Sequence, residues 1–137
     1  MMDKSDLVSD NGVMDTDVWT IERHLMGKSE HICELYRQFV AIVEACGPVS
    51  YAVSKSAITF KGARRGFAGV KPKSQYLDGY LDLEREVTDS RILRSSPYTQ
   101  RLYVHHFRVR VCAEMDDEFR AWIREAYAVG AGAHLTR

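Results

Sequence analysis

Residues 101–127 of the 137-residue chain read RLYVHHFRVRVCAEMDDEFRAWIREAY, and this stretch decides the fold. Its first half alternates apolar and polar side chains, which is typical of a β-strand whose two faces differ. The alternation predicts that Phe107, Val109 and Val111 enter the core. The second half carries one apolar stripe at the i, i+3, i+4, i+7 spacing of an amphipathic helix: Phe119, Trp122, Ile123 and Ala126. We therefore predict a long strand followed by a helix that packs on its sheet.

Helix caps and strand alternation organise the rest of the chain. Three polar side chains precede helical spacing and are predicted N-caps: Thr20, Ser29 and Asp116. Their helices end near glycines: Gly27, Gly47 and Gly130. Period-two patterns predict four short strands before the long one: Val49–Val53, Ala57–Lys61, Gly66–Val70 and Tyr76–Leu83. Residues 84–100 are weakly patterned, so we predict a loop in which Ile92 and Leu93 form a small helical turn or tuck beneath it.

This order of elements predicts an α+β fold. Strands that follow each other through short connections favour a mostly antiparallel sheet, here of about five strands. We expect two main helices on one face of the sheet and a short N-terminal helix. Residues 1–16 are acidic and unpatterned and are predicted to form a disordered tail. The single domain would then span residues 17–132, with a C-terminal tail over 133–137.

Composition excludes several classes of protein. The chain has 19 basic and 19 acidic residues, so net charge gives no argument for binding nucleic acid or a membrane. No apolar run approaches the length that spans a bilayer, and the N-terminus lacks the pattern of a signal peptide. Three cysteines without close pairing fit a reducing compartment. We predict a cytoplasmic protein that needs no cofactor, no metal and no membrane.

The polar motifs give little support for catalysis. His105 and His106 are adjacent on a strand and point to opposite faces, so they are poorly placed to share a metal ion, and CxxC and HExxH motifs are absent. The Gly62–Gly66 segment lacks the Lys-Ser/Thr of a phosphate-binding loop. Asp78 and Asp82 are four residues apart on one strand face, roughly 13 Å, which is too far for paired acid–base chemistry. An enzyme that uses His105 or His106 as a base is therefore the weaker hypothesis.

Aromatic and basic side chains that share an open sheet face favour a binding function instead. If the leucines of residues 76–83 face the helices, Tyr80 faces outward. The candidate ligand-binding residues are Lys55, Lys61, Arg64, Arg65, Tyr80, His105, His106 and Arg108. We predict a non-enzymatic module for an anionic small molecule or a protein partner. A nucleic-acid accessory domain is the alternative, although Asp78 and Asp82 would repel phosphates. A sheet face that is merely solvated is the remaining interpretation.

Five segments together are similar to a known family: VWTIERHLMGKSEHICELYRQFVAIVEACGPV, SKSAITFKGARRGFAGVKP, LDGYLDLER, YVHHFRVRV and MDDEFRAWIREAYAVG. They resemble the bacterial domain of unknown function catalogued as 5655, from about residue 18 to residue 130. The resemblance implies a small α+β domain and a cytoplasmic protein, and it implies no established activity. Some members of that family carry a zinc-binding ribbon before the domain. This chain has no cysteine pair there, so the resemblance implies no metal.

Overall fold

The computed structural model describes residues 18–99 and 101–136. These residues form three α-helices: α1 (Ile21–Leu25), α2 (Glu30–Cys46) and α3 (Asp117–Gly130). Two short 3-10 helices follow β6 and α3, at Cys112–Glu114 and Ala133–Thr136. The segment expected to be a C-terminal tail thus begins with a 3-10 helix. The tail predicted over residues 1–16 lies outside the described residues.

The six described strands form one sheet: β1 (Ser50–Val53), β2 (Ile58–Lys61), β3 (Gly66–Pro72), β4 (Leu77–Leu83), β5 (Ile92–Pro97) and β6 (Tyr103–Val109). The strand order is β1-β2-β3-β4-β6-β5, and every neighbouring pair is antiparallel. The predicted α+β fold is therefore confirmed. The sheet has six strands rather than about five.

The additional strand is β5, which lies within the stretch that we predicted to be a loop. Its sequence, ILRSSP, has no sustained alternation and ends in a proline. It is an edge strand that pairs only with β6, and its register shifts between Ile92 and Arg94. Proline is tolerated at a sheet edge because its missing N–H costs no ladder hydrogen bond there. Pairing with β6, rather than an intrinsic pattern, makes this segment a strand.

The predicted helix starts are confirmed by their capping geometry. Thr20, Ser29 and Asp116 each accept a hydrogen bond from the backbone N–H three residues later, over 3.0, 3.2 and 3.0 Å. These bonds satisfy N–H groups that lack a partner within the helix. The capped helices α2 and α3 then turn their apolar stripes toward the sheet.

The core lies between the sheet and helices α2 and α3. Phe39 of α2, Phe107 of β6 and Phe119 of α3 are fully buried, and their ring centroids lie 5.1–6.2 Å apart. Val109 is buried as predicted. The prediction for Val111 was wrong, since this side chain is 46% exposed. Strand β6 ends at Val109 and the chain turns into a 3-10 helix, so the alternation no longer applies at Val111.

A buried arginine ties the sheet edge to α3. The Arg91 side chain is only 9% exposed, and its guanidinium lies 4.7 Å from the centroid of the Trp122 ring. It donates hydrogen bonds of 2.7–3.0 Å to three carboxylates and one backbone carbonyl: Asp89, Asp116, Glu118 and Glu114. Arg91 directly precedes β5, and these acceptors include residues at the start of α3. The guanidinium therefore fixes the position of β5 relative to that helix.

We expect Trp122→Ala to lower the free energy of unfolding by about 3–5 kcal/mol, because the indole is almost fully buried and its removal leaves a cavity. Urea denaturation followed by circular dichroism measures this. Val111→Ala is the control and should change stability by less than about 0.5 kcal/mol. Equal effects of the two substitutions would contradict the burial described for α3.

We expect Arg91→Lys to lower the free energy of unfolding by about 2 kcal/mol, because an ammonium cannot replace the planar fork that serves several acceptors. Arg85→Lys is the matched control, since Arg85 pairs with Glu125 at 2.8 Å but is 57% exposed. That substitution should cost less than about 0.5 kcal/mol. A loss at Arg91 no larger than that at Arg85 would show that the buried cluster does not stabilise the fold.

Candidate ligand-binding cleft

The face of the sheet opposite α2 and α3, called the open face below, presents the polar residues of β4. Its leucines are buried, whereas Asp78, Tyr80 and Asp82 lie on the open face as the alternation predicts. The register of β4 with β6 sets Asp78 opposite Arg108 and Tyr80 opposite His106. Polar groups of two central strands are thereby brought side by side.

Tyr80 is placed by a glycine on the neighbouring strand. Gly69 of β3 lies opposite Tyr80, and a Cβ atom there would overlap the tyrosine ring. The missing side chain lets the ring lie across β3 toward Thr59 of β2, which is also opposite Gly69. Burial raises the pKa of Tyr80, so the hydroxyl stays protonated at neutral pH. The ring forms a fixed aromatic surface on the open face.

A cleft of about 620 Å³ lies beside this ring. A β-bulge in β3, opposite Phe60–Lys61, shapes one end of it. The bulge allows Phe67 to pack on the helix side, with its ring 5.4 Å from the Tyr127 ring, while Gly66 stays at the cleft. The cleft is lined by an ion pair, three rings and two small or apolar residues: Arg65 and Asp82; Tyr80, Tyr98 and His106; and Gly66 and Val104.

The Arg65–Asp82 ion pair at this cleft does not use all of its hydrogen-bonding atoms. Arg65 Nη2 donates to Asp82 Oδ2 at 2.9 Å, and Arg65 Nε donates to the Gly66 carbonyl at 3.0 Å. Within the described residues, Arg65 Nη1 and Asp82 Oδ1 make no hydrogen bond. The Asp82 side chain is 5% exposed, and its burial raises its pKa to about 6 even though Arg65 opposes the shift. The Tyr98 ring lies over the same guanidinium, with its centroid 5.5 Å from Cζ.

The structure brings only part of the predicted set together. Arg65, Tyr80 and His106 line the cleft. Arg108 lies on the same face but does not line the cleft. Its guanidinium donates two hydrogen bonds to Asp78, of 2.7 and 3.1 Å, and its Cζ atom lies 3.8 Å from the centroid of the Tyr76 ring. The other three predicted cations are exposed near strand ends and do not line the cleft: Lys55, Lys61 and Arg64.

His105 is the one predicted residue that faces the helices. It is fully buried, and its Nε2 accepts a hydrogen bond from the Val87 N–H at 2.9 Å. Its Nδ1 therefore carries the proton and donates to the Tyr103 carbonyl at 3.0 Å. Burial lowers the pKa of His105, which keeps the ring neutral. Both ring nitrogens are therefore engaged, Nε2 with the backbone at residue 87 and Nδ1 with its own strand.

Four of the lining residues were absent from the predicted set, and the two of them with a charged or aromatic side chain, Asp82 and Tyr98, were missed for different reasons. Asp82 shares a strand face with Tyr80, so its position was readable from the alternation, but its pairing with Arg65 depends on the bulge. Tyr98 follows β5, and no signal in the sequence identified that strand. Its place beside Arg65 is visible only once the edge of the sheet is known.

The fold and the cleft define a class: a small α+β domain whose antiparallel sheet is covered on one face and carries a polar, aromatic cleft on the other. The sequence model of the family described as "Domain of unknown function (DUF5655)" matches residues 21–130. The chain belongs to this family, which confirms the resemblance. Searches of curated proteins and of solved structures returned no match.

Two further observations bear on the kind of site. Across residues 18–99 and 101–136, no three His, Cys, Asp or Glu side chains cluster in a way that would hold a metal ion. No helix in that part of the chain has the length and apolar character needed to cross a membrane. The function is therefore argued from the groups that line the cleft.

We expect the Asp82 carboxyl to titrate near pH 6 in a carbon-detected NMR titration, because burial raises its pKa. Asp116 should titrate below its usual range, because hydrogen bonds from Arg91 lower its pKa. Since the unfolded value for Asp is about 3.9, the folded state binds the Asp82 proton more tightly, and this group reduces stability as the pH rises from about 4 to about 6. An Asp82 midpoint at or below that of Asp116 would contradict its burial beside Arg65.

Proposed function

We propose that this protein is a small-molecule-binding domain whose ligand occupies the cleft on the open face. One observation carries the proposal: unpartnered polar groups of Arg65, Asp82 and His106 converge there on a surface of rings and small residues. The ring nitrogens of His106 make no hydrogen bond within the described chain, and burial lowers its pKa, which favours the neutral ring. Such a site offers both donors and acceptors, which is the composition typical of small-molecule pockets.

The size of the cleft favours a small molecule over a protein partner. A volume of about 620 Å³ falls within the range of small-ligand sites, roughly 300–1,000 Å³. A stable protein interface buries about 800 Å² on each partner and usually has an apolar centre. Among the large apolar side chains exposed in the described residues, only Tyr98 borders the cleft. The open face thus has a concave site of rings and a few polar groups, without the surrounding exposed apolar side chains that a protein partner would use.

Charge pairing argues against a nucleic-acid function. Arg65 and Arg108, the two arginines that form ion pairs on the open face, are each bonded to an aspartate of β4. Paired arginines contribute little to the counterion release that drives binding to phosphates. We therefore rank the nucleic-acid accessory domain below the small-molecule domain.

A catalytic role is a second candidate, and one observation favours it. A buried carboxyl with a raised pKa in a cleft is a common feature of acid–base sites, and Asp82 meets this description with the neutral His106 in the same cleft. His105 does not contribute, because both of its nitrogens are engaged. The cleft must bind a ligand in either case, so a binding test precedes any test for turnover.

We also propose that the protein works in the cytoplasm. Cys33, Cys46 and Cys112 are half-buried free thiols, which are typical of a reducing compartment.

The binding proposal is tested by NMR screening of the full chain with a library of small aromatic amides, carboxylates and amines. We expect chemical-shift changes at Arg65, Tyr80 and His106. Arg65→Gln should weaken the best binder by about tenfold or more, since it removes the charged donor. Arg108→Gln is the matched control on the same face and should leave the affinity unchanged. Shifts centred away from the cleft, or equal losses in both variants, would refute the proposal.

A further inference from the structure

We propose that the ligand of the cleft is a planar, uncharged molecule with a hydrogen-bond acceptor and a donor on adjacent atoms, the edge that a cyclic amide presents. The acceptor would face the free Nη1 group of Arg65, and the donor would face Oδ1 of Asp82. This inference rests on the proposed function and names the chemical class of its ligand. It departs from the anionic ligand that the sequence favours.

The ion pair brings one unbonded donor and one unbonded acceptor to the cleft. One hydrogen bond of 2.9 Å joins Arg65 Nη2 to Asp82 Oδ2, and the second oxygen and the second terminal nitrogen remain unbonded within the described residues. The bond from Arg65 Nε to the Gly66 carbonyl fixes the guanidinium plane at a second point. A guanidinium has donors only, and an ionised carboxylate has acceptors only. Their complement is a group that accepts and donates on neighbouring atoms.

An anion fits this arrangement poorly. Arg65 is the only permanent cation in the lining of the cleft, and Asp82 balances its charge. A carboxylate in place of the amide edge would set one of its oxygens against Asp82 Oδ1, and two acceptors cannot form a hydrogen bond with each other. The Asp82 side chain is only 5% exposed, so solvent screens this repulsion weakly. A neutral amide edge meets both groups without this conflict.

The rings of the cleft favour a planar molecule. The Tyr80 ring lies across β3 against Gly69. Tyr98 is 54% exposed and its ring already faces the Arg65 guanidinium. Aromatic side chains bind flat heterocycles by stacking, which is tolerant of the particular ring. Lactams, pyridones and pyrimidine-type rings combine such a flat body with the required edge.

Three probes of similar size test the proposal by NMR titration at pH 8, where Asp82 is ionised: 2-pyridone, N-methyl-2-pyridone and benzoate. The first has the complete amide edge, the second lacks the donor, and the third is an anion. We expect 2-pyridone to bind at the cleft at least about tenfold more tightly than either of the others, the factor that one hydrogen bond to a charged group supplies. Tighter binding of benzoate, or equal binding of the two pyridones, would overturn the amide-edge proposal while leaving a binding cleft in place. Absence of shifts at Arg65, Tyr80 and His106 with all three probes would overturn the proposed function as well.

Two variants test whether Asp82 is the partner of the ligand's donor group. In Asp82→Asn, the amide oxygen should turn to Arg65 and the amide nitrogen to the ligand, so the advantage of 2-pyridone over its N-methyl derivative should fall to less than about twofold. Asp78→Asn is the matched control, because Asp78 also pairs with an arginine on the open face but lies outside the cleft. An unchanged advantage in Asp82→Asn would refute the assignment.

A further variant, Tyr98→Ala, tests the binding geometry even if Asp82→Asn does not fold. Tyr98→Ala removes an exposed ring and should retain the melting temperature of the wild type. We expect it to weaken 2-pyridone by about tenfold through the loss of stacking. An unchanged affinity in this variant would contradict the stacked geometry.

Discussion

The packing of Phe107 between Phe39 and Phe119 is the constraint on which the remaining structure depends. It decides which face of β6 enters the core, and because side chains alternate, it sends Val104, His106 and Arg108 to the open face. Gly79 of β4 lies opposite Phe107, where a side chain would overlap the phenyl ring. A slip of one residue in this pairing would bury an arginine and expose the phenylalanine, so the register is strongly specified.

The two arginine–aspartate pairs of the open face show how burial changes the properties of the same kind of ion pair. Asp78 and Arg108 are each 26% exposed, and water can solvate both. Asp82 is 5% exposed, and burial raises its pKa although an arginine is bonded to it. A buried ion pair regains its desolvation cost only when its remaining hydrogen-bonding capacity is used. Among the described residues, Asp82 Oδ1 and Arg65 Nη1 are not among the buried atoms that lack a partner, so water reaches them in the free protein and a ligand would replace that water.

Most of the fold was predictable, since it follows from local rules. The caps at Ser29 and Asp116 and the alternation of β4 are written in neighbouring residues, and each was confirmed. Strand β5 was not predictable because its partner, rather than its own sequence, makes it a strand. The prediction for Val111 failed because periodicity does not say where a strand ends. At the cleft, the strand alternation predicted that Tyr80 faces outward. The ion pair between Arg65 and Asp82 was not predictable, because it depends on the bulge in β3 and joins residues that are distant in sequence.

The edge of the sheet connects the stability of the fold to the geometry of the cleft. Arg91 directly precedes β5 and is fixed to the start of α3, while Tyr98 directly follows β5 and faces Arg65. Among the described strands, β5 has β6 as its only neighbour, so its position depends on that pairing and on the Arg91 contacts. Two of the acceptors of Arg91, Asp116 and Glu118, are 53% and 61% exposed, but the Arg91 side chain itself is 9% exposed, so salt screens these pairs only partly. The aromatic wall that Tyr98 contributes therefore depends on the edge of the sheet, whereas Tyr80 lies on a central strand opposite Gly69.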